Sequence, residues 1–367
     1  MSISKIVVTG GPCGGKTTAL TRIQRDLSHL GYTVLVVPET ATALISGGVA
    51  PWTCATNEEY QKVQMRLQYE KERLFEQAAA TMPNDKIVIV CDRGELDNKA
   101  YMTDEEFAHV LDWLGMSEVH LRDSYDAVFH LVTAAKGAEE FYTLDNNGAR
   151  YESVEEAAAL DDKFIAAWTG HPHLRIIDNR ADFESKMRHL MREITYFLGD
   201  LAPYEIERKF LIEYPDVAWL ESLPHCQKVE ISQSYLRSDP DYEIRIRQRG
   251  SGSDRVYYLT EKRIDRNQKR LETQRRLSER EYQLLRMQAN PAMREIHKTR
   301  YCLTYKGQYF EVDLFPCWDD QAMVEIELSR EEDPIVFPPE LKVIREVTGD
   351  PNYRNAVIAS KPKGATH

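Results

Sequence analysis

Eight residues near the start of the chain, Gly10-Gly11-Pro12-Cys13-Gly14-Gly15-Lys16-Thr17, fit the spacing G-x-x-x-x-G-K-[ST], which leaves few folds open. Lys5-Ile6-Val7-Val8-Thr9 before them reads as a short buried strand, and Thr18-Ala19-Leu20-Thr21-Arg22-Ile23 after them opens a helical pattern. Glycines let the backbone curl until several N–H groups converge on one phosphate, and the positive end of the following helix faces the same point. On this reading Gly10, Gly11, Pro12, Cys13, Gly14, Gly15, Lys16, Thr17 and Thr18 surround the phosphates of a nucleoside triphosphate, ATP or GTP. Lys16 reaches the β- and γ-phosphates, and Thr17 offers its hydroxyl to Mg²⁺.

At 367 residues the chain is too long for one ordinary core, so two domains are expected. A hydrophobic share of 42% and a charged share of 29% suit a globular protein in water, and no apolar run approaches the roughly 18 residues of a membrane span. The first strand begins almost at Met1, which leaves no room for a signal or transit segment, so a cytoplasmic location is expected. Six scattered cysteines without a C-x-x-C pair read as reduced thiols rather than a disulfide frame or a zinc site. The net charge of −12 argues against nucleic-acid binding. Between Arg245 and Arg300, however, sixteen Lys and Arg stand against seven Asp and Glu, which suits a compact polyanion better than a long duplex.

Residues 1–198 alternate strands (Ile6–Val8, Thr33–Val37, Ile87–Cys91, Ala127–Leu131, Arg175–Ile177) with helical patterns. Tyr60, Val63, Leu67, Leu74 and Ala78 read as one core-facing helix stripe, and Phe183, Met187, Leu190, Met191 and Ile194 as another. This alternation implies an α/β domain with a parallel sheet covered by helices on both faces. After Gly199-Asp200-Leu201-Ala202-Pro203 the texture changes to period two, from 203 to 358, with a disordered tail expected over 359–367. Here charged side chains recur two apart: Glu205, Glu207 and Lys209; Arg245 and Arg247; Lys298 and Arg300; Glu311 and Asp313; Glu325 and Glu327. Such a pattern predicts an antiparallel sheet curled around a charged, wet interior that holds ions. His171 and His173 flank Pro172 in a turn and read as solvated, whereas Trp113, Trp168 and Trp219 read as core or contact residues.

Two acids stand at strand ends in the first half. Ile87-Val88-Ile89-Val90-Cys91-Asp92-Arg93-Gly94 places Asp92 where it binds Mg²⁺ or orients a nucleophile, and Glu39 closes the second strand where a carboxylate either accepts a hydroxyl proton or caps a helix. These motifs, with Thr133–Tyr142, Asn146, Asn147, Arg150, Trp168, His171 and Asp178-Asn179, resemble the P-loop small-molecule kinases, nearest the AAA-type ATPase/kinase group with the ribosylnicotinamide kinase domain of the NadR regulator. The resemblance implies a basic lid, so Arg150 or Lys136 would stabilise the transferred phosphoryl group, and it implies that Asp92-Arg93 sits beside phosphates and acceptor.

In the second half Glu205-Ile206-Glu207-Arg208-Lys209 matches E-x-E-x-K, and Gln233, Tyr235, Arg245, Arg247, Lys262, Glu272, Lys298, Arg300, Glu311, Asp313, Glu325 and Glu327 follow in order. This series resembles the CYTH superfamily, the triphosphate tunnel metalloenzymes, which implies an eight-stranded barrel around a tunnel. By that resemblance Lys209, Arg245, Arg247, Lys262, Lys298 and Arg300 would hold triphosphate oxygens. Glu205, Glu207, Asp313, Glu325 and Glu327 would hold Mg²⁺ or Mn²⁺, with Glu205 essential for hydrolysis. Gln274 stands where many members carry another acid, removing one metal ligand.

The order of the two halves also resembles the group of the TRPL translocation defect protein of insects and its bacterial relatives, which implies GTP and acidic phospholipid binding. The expected function is therefore a two-module enzyme. Its first module is a nucleotide-binding phosphotransferase, with Lys16, Glu39, Asp92, Arg93 and Arg150 at its centre, and its second is a metal-dependent triphosphatase. The alternative is a non-catalytic regulator that binds nucleotide and a phosphoinositide or polyphosphate.

Overall fold

A computed structural model of the chain describes residues 2–142, 153–199, 206–238, 242–252, 254–264, 270–328 and 333–360. They belong to two compact units, Met1–Leu201 and Ala202–His367.

In the first unit five parallel strands, β1 (Ser2–Thr9), β2 (Thr33–Val37), β3 (Lys86–Asp92), β4 (Ala127–Leu131) and β5 (Leu174–Ile177), lie in the order β2-β3-β1-β4-β5. The helices are α1 (Lys16–His29), α2 (Thr40–Ser46), α3 (Asn57–Ala79), α4 (Asp104–Leu114), α5 (Glu118–Arg122), α6 (Val154–Trp168) and α7 (Phe183–Phe197), and a 3₁₀ turn at Glu95–Tyr101 follows β3. Continuous β-branched runs suit strands buried on both faces, and Ile6, Val7 and Val8 of β1 are fully buried. Ala19, Ile23 and Leu27 of α1 and Met187, Leu190 and Ile194 of α7 pack on one face of this sheet. β1 lies between β3 and β4, where the strand order reverses, so the glycine-rich loop that follows it opens at the carboxyl edge of the sheet.

Helix α3 turns the other way from the sequence expectation. Val63, Leu67 and Leu74 are 46%, 41% and 55% exposed, and of the expected stripe only Tyr60 is buried. The inward stripe is instead polar: Gln61, Gln64, Gln68 and Glu72 are buried beside Met65. Gln64 donates to Asn98 Oδ1 at 2.5 Å, and Gln68 and the Tyr125 hydroxyl donate to Glu72 Oε1 at 3.1 and 3.0 Å. The 3₁₀ turn supplies a polar wall, and a buried polar group with partners carries little penalty. Two further expectations change. His171 is fully buried, its Nε2 against Tyr125 O at 3.0 Å, because the turn carrying it packs on the Trp168 ring; Trp113 is 56% exposed.

The second unit holds nine strands in one antiparallel sheet: β6 (Ile206–Glu213), β7 (Cys226–Tyr235), β8 (Tyr242–Ser251), β9 (Asp254–Ile264), β10 (Arg270–Leu277), β11 (Ile296–Tyr305), β12 (Gln308–Leu314), β13 (Gln321–Leu328) and β14 (Val343–Glu346). Their order is β10-β9-β8-β7-β11-β12-β13-β6-β14, and helices α8 (Val217–Ser222), α9 (Glu279–Arg286) and α10 (Asn355–Ser360) accompany them. The expected eight-stranded barrel is thus a nine-stranded sheet, because β14 pairs with the outer side of β6; among the described residues no ladder joins β10 to β14. Phe210, Ile212, Leu303, Phe310, Val312, Val324 and Ile326 form the apolar core on one face. Ala359 and Ser360, expected in the tail, close α10; Ala359 is buried and its carbonyl accepts from Arg294 N at 2.9 Å.

The orientation of α3 is testable by urea unfolding. Met65→Ala should cost about 2–5 kcal/mol, whereas Leu67→Ala should change stability by no more than about 0.5 kcal/mol.

Candidate functional site

The loop Gly10–Gly15 takes its shape from contacts that only glycine allows. At Gly10 φ is +140°, and a Cβ there would fall 2.0 Å from Leu131 O; one at Gly14 would fall 2.7 Å from the same atom. Gly15 caps α1 in the left-handed region, and Thr17 and Thr18 at the start of that helix are exposed. The first N–H groups of a helix have no acceptor within it, so this end is a ready anion site. Lys16 folds back on the loop, donating from Nζ to Gly10 O at 2.9 Å and Gly11 O at 3.2 Å. Burial, reinforced by the Arg93 charge, lowers its pKa to about 7 despite Glu39, Asp92 and Asp97 nearby.

Behind the loop stands Asp161 of α6, which the sequence analysis did not single out. Its Oδ1 accepts from Gly11 N at 2.8 Å and Thr133 N at 3.2 Å and meets His130 Nε2 at 3.0 Å; Lys136 Nζ lies 3.1 Å from Oδ2. Burial would raise this carboxyl, but His130 and Lys136 more than offset it and hold it below the ordinary range. Lys136 therefore braces the loop through Asp161 and also reaches Asp162 at 2.6 Å. Thr133 donates its hydroxyl to Pro12 O. No local pattern marks Asp161, since its partners lie 25 to 150 residues away.

Glu39, Asp92 and Arg93 come together beside Lys16. Arg93, at φ +71°, donates from Nε to Glu39 Oε1 at 2.7 Å and lies 3.8 Å from Asp97. Glu39 also accepts from the Thr42 hydroxyl at 2.7 Å, and its carboxylate makes no cap bond to the backbone of α2. Burial would raise Glu39, yet Arg93, Thr42 and Lys16 hold it below the ordinary value. Asp92 moves the other way, raised by burial and by the Glu39 charge. Asp97 anchors the corner, accepting from Thr9 Oγ1 and from Trp168 Nε1 at 2.7 Å. Arg150 lies outside the described residues.

In the second unit the cross-strand register puts the charged positions on one face. Glu325 opposes Lys209, Glu327 opposes Glu207, and Glu311 opposes Glu325. Arg300 opposes Asp313, Arg245 opposes Tyr235 and Thr260, and Arg247 opposes Gln233 and Tyr258. Arg249, one step further along β8 and 1% exposed, extends the same column; the spacing of two from Arg247 was its signal. Lys262 is half-buried, Glu327 is exposed, and Gln274 Oε1 accepts from Thr260 Oγ1 at 3.3 Å.

Arg300 organises the acids. It donates from Nε and Nη2 to the two oxygens of Asp313, each at 2.6 Å, from Nη2 to Glu325 at 2.7 Å, and from Nη1 to Glu311. Lys298 pairs with Asp313, while Lys209 reaches Glu325 at 2.5 Å and Glu207 at 3.1 Å. Burial would raise Glu325, but Lys209, Arg300 and Lys298 hold it well below the carboxylate range. Burial and the neighbouring Arg300 lower Lys298 against the pull of Asp313. Most of Arg300's donors are thus engaged by carboxylates, which suits a positioning role. Glu205 lies outside the described residues, and among those described no three His, Cys, Asp or Glu gather as a metal cage. The donors on this face are nonetheless carboxylate oxygens, the chemistry that Mg²⁺ or Mn²⁺ prefers.

Comparison with known proteins gives matches of two kinds. A family model described as an AAA domain matches residues 5–186. The inorganic triphosphatase of Nitrosomonas europaea is 32% identical over 166 residues, 42% of this chain and 96% of that protein. The inorganic triphosphatase of Acetivibrio thermocellus is 29% identical over 167 residues, 43% of this chain and 94% of that protein. Among solved structures, an inorganic triphosphatase crystal structure is 29% identical, covering 44% of this chain and 98% of its own, with a TM-score of 0.32. No helix among the described residues is long and apolar enough to cross a membrane.

Two measurements test these sites. Arg300→Met should cost about 3–5 kcal/mol in chemical unfolding, since it leaves buried carboxylates without their counter-charge. A Lys16 pKa near 7 means the empty loop holds a largely neutral lysine at pH 8, and a bound polyphosphate favours the charged form. Nucleotide binding at pH 8 should therefore take up a proton, read by calorimetry in buffers of differing ionisation enthalpy, and Lys16→Arg should abolish that uptake.

Proposed function

Since this chain belongs to the family of the inorganic triphosphatases it matches, we propose that it is a two-module enzyme of phosphate chemistry. Its second unit hydrolyses a triphosphate, and its first binds ATP or GTP for phosphoryl transfer. Length and chemistry support assigning the triphosphatase likeness to the second unit. The match covers 42% of this chain, a share that the second unit can supply, whereas the AAA match occupies residues 5–186. The observation that carries the reading is the single sheet face on which Lys209, Arg245, Arg247 and Lys262 stand beside Glu207, Glu325 and Glu327.

On that face the cations bind triphosphate oxygens and draw charge from the phosphoanhydride as it breaks. Arg300 and Lys298 keep Asp313 and Glu325 in place. Glu207, Glu327 and Glu205 would hold Mg²⁺ or Mn²⁺, with Asp313 and Glu325 behind them; when bound, the metal neutralises phosphate charge. In the first unit Gly10–Thr18 cradles the nucleotide and Lys16 swings from the loop carbonyls to its β- and γ-phosphates. Thr17 and Asp92 serve its Mg²⁺, and Glu39 takes the proton of the attacking hydroxyl, oriented by Arg93.

The regulator reading draws on one observation. The carboxylates of the second unit are already neutralised by lysine and arginine, which fits a receptor for polyphosphate or an acidic phospholipid headgroup.

Phosphate release from inorganic triphosphate with Mg²⁺ or Mn²⁺ tests the assignment. The intact chain should release orthophosphate, Arg247→Ala should lower kcat/KM by about 10²-fold or more, and Lys16→Ala should leave this activity in place. Triphosphate that binds tightly but persists for hours would replace the hydrolase with the regulator.

A further inference from the structure

Helix α7 bears on the phosphate loop at two places. At the first, the Phe183 ring lies so close to Gly15 that a Cβ there would fall 2.7 Å from it. The second runs through a chain of polar side chains. Lys186, in the first turn of α7 and 5% exposed, donates from Nζ to Asn179 Oδ1 at 2.7 Å and to Val132 O at 2.6 Å. Asn179 donates from Nδ2 to two carbonyls, Thr133 O at 2.7 Å and Lys136 O at 2.8 Å. Thr133 in turn donates its hydroxyl to Pro12 O of the loop, and its N–H shares Asp161 Oδ1 with Gly11 N. A Cβ at Gly11 would fall 3.0 Å from Thr133 Cβ, so Thr133 also meets the loop by contact.

The donor inventory fixes this arrangement. An ammonium only donates and a carbonyl only accepts, so the Asn179 amide fits one way round, oxygen toward Lys186 and nitrogen toward the backbone. Strands β4 and β5 end at Leu131 and Ile177, which leaves the Val132, Thr133 and Lys136 carbonyls beyond the parallel ladder, where these two side chains supply donors. Lysine is seldom buried this deeply without partners. Burial lowers its pKa to about 8 against the pull of Asp161 and Asp178, so at pH 7 the ammonium is kept. An apolar side chain at that position would avoid burying a charge, but it would release residues 132–136.

We infer that Asn179 and Lys186 are positioning residues for nucleotide binding in the first unit: with Thr133 they form a polar strut from α7 that fixes the rear of the phosphate loop. The inference rests on the nucleotide-binding reading of that unit and names the residues that hold its loop in shape. The strut acts through Thr133, on Pro12 O by its hydroxyl and on Gly11 N by way of Asp161. A loop without that support has to be ordered by the arriving polyphosphate, and the ordering is subtracted from the affinity.

The test uses the full-length protein at pH 7 with Mg²⁺ and a non-hydrolysable ATP or GTP analogue, and reads affinity by calorimetry. Asn179→Asp keeps the side-chain shape and the bond from Lys186 but removes both donors, and it should weaken binding about tenfold. Asn179→Ala and Lys186→Met should do the same. Thr133→Val should also weaken binding about tenfold, with Thr133→Ser and Lys186→Arg, which keep the donors, recovering most of the loss. Because the strut acts through Thr133, combining Asn179→Asp with Thr133→Val should still weaken binding only about tenfold, well short of the roughly hundredfold of two independent losses. Groups that matter to folding alone would lower the melting temperature and leave these affinities unmoved. Lys186→Met and Lys186→Arg carry the same comparison should neither Asn179 variant fold. Asn179 and Lys186 variants that bind within about twofold of the parent protein, independent losses in the double variant, or Thr133→Ser no better than Thr133→Val would each overturn the strut. Absence of any Lys16-dependent nucleotide binding in the parent protein is a separate result, and it would overturn the nucleotide reading together with this inference.

Discussion

One guanidinium sets the chemistry of the second unit. Arg300 binds Asp313, Glu311 and Glu325 at once, and these acids come from two neighbouring strands, β12 and β13. Glu311 and Glu325 stand directly opposite one another, an arrangement that repels unless a cation lies between. With Arg300 in place, and with Lys298 and Lys209 beside it, a sheet can carry a dense charged face and still bury part of it. The opposite face is ordinary apolar core, so one unit joins an apolar core to a charged face by the period-two alternation of strands alone.

The first unit solves a related problem with backbone. Its phosphate loop must stay open at the mouth yet rigid behind, and the rear contacts do this. Leu131 O admits only glycine at positions 10 and 14, and Asp161 holds Gly11 N from α6. Asp161 stays ionised because His130 and Lys136 surround it. At the mouth, Lys16 rests on carbonyl oxygens with a depressed pKa.

Much of the architecture was legible from the sequence because it rests on short-range rules. The strand–glycine loop–helix unit, all five parallel strands and the change to period two near residue 200 are local patterns, and β2 and β4 have the ends expected. The common face of Lys209, Arg245, Arg247, Lys298, Arg300, Asp313 and Glu325 also follows from alternation, provided the register is right. The orientation of α3 was not legible. Apolar periodicity points to Val63 and Leu67, but Asn98 in the wall of residues 95–101 bonds Gln64 and Gln68, and Tyr125 and Lys5 bond Glu72. The burial of His171, the ninth strand, and the inclusion of Ala359 in a packed helix likewise depend on partners far away in the chain.

The sequence by itself determined where the charged and glycine-rich positions fall and how they alternate, since both follow from spacing along a strand or around a helix. Only the tertiary structure decided which of those residues meet. Asp161 behind the phosphate loop, Asp97 under Arg93 and the three acids on Arg300 are brought together by strand order and register, which join positions too distant in the chain for any local pattern to connect.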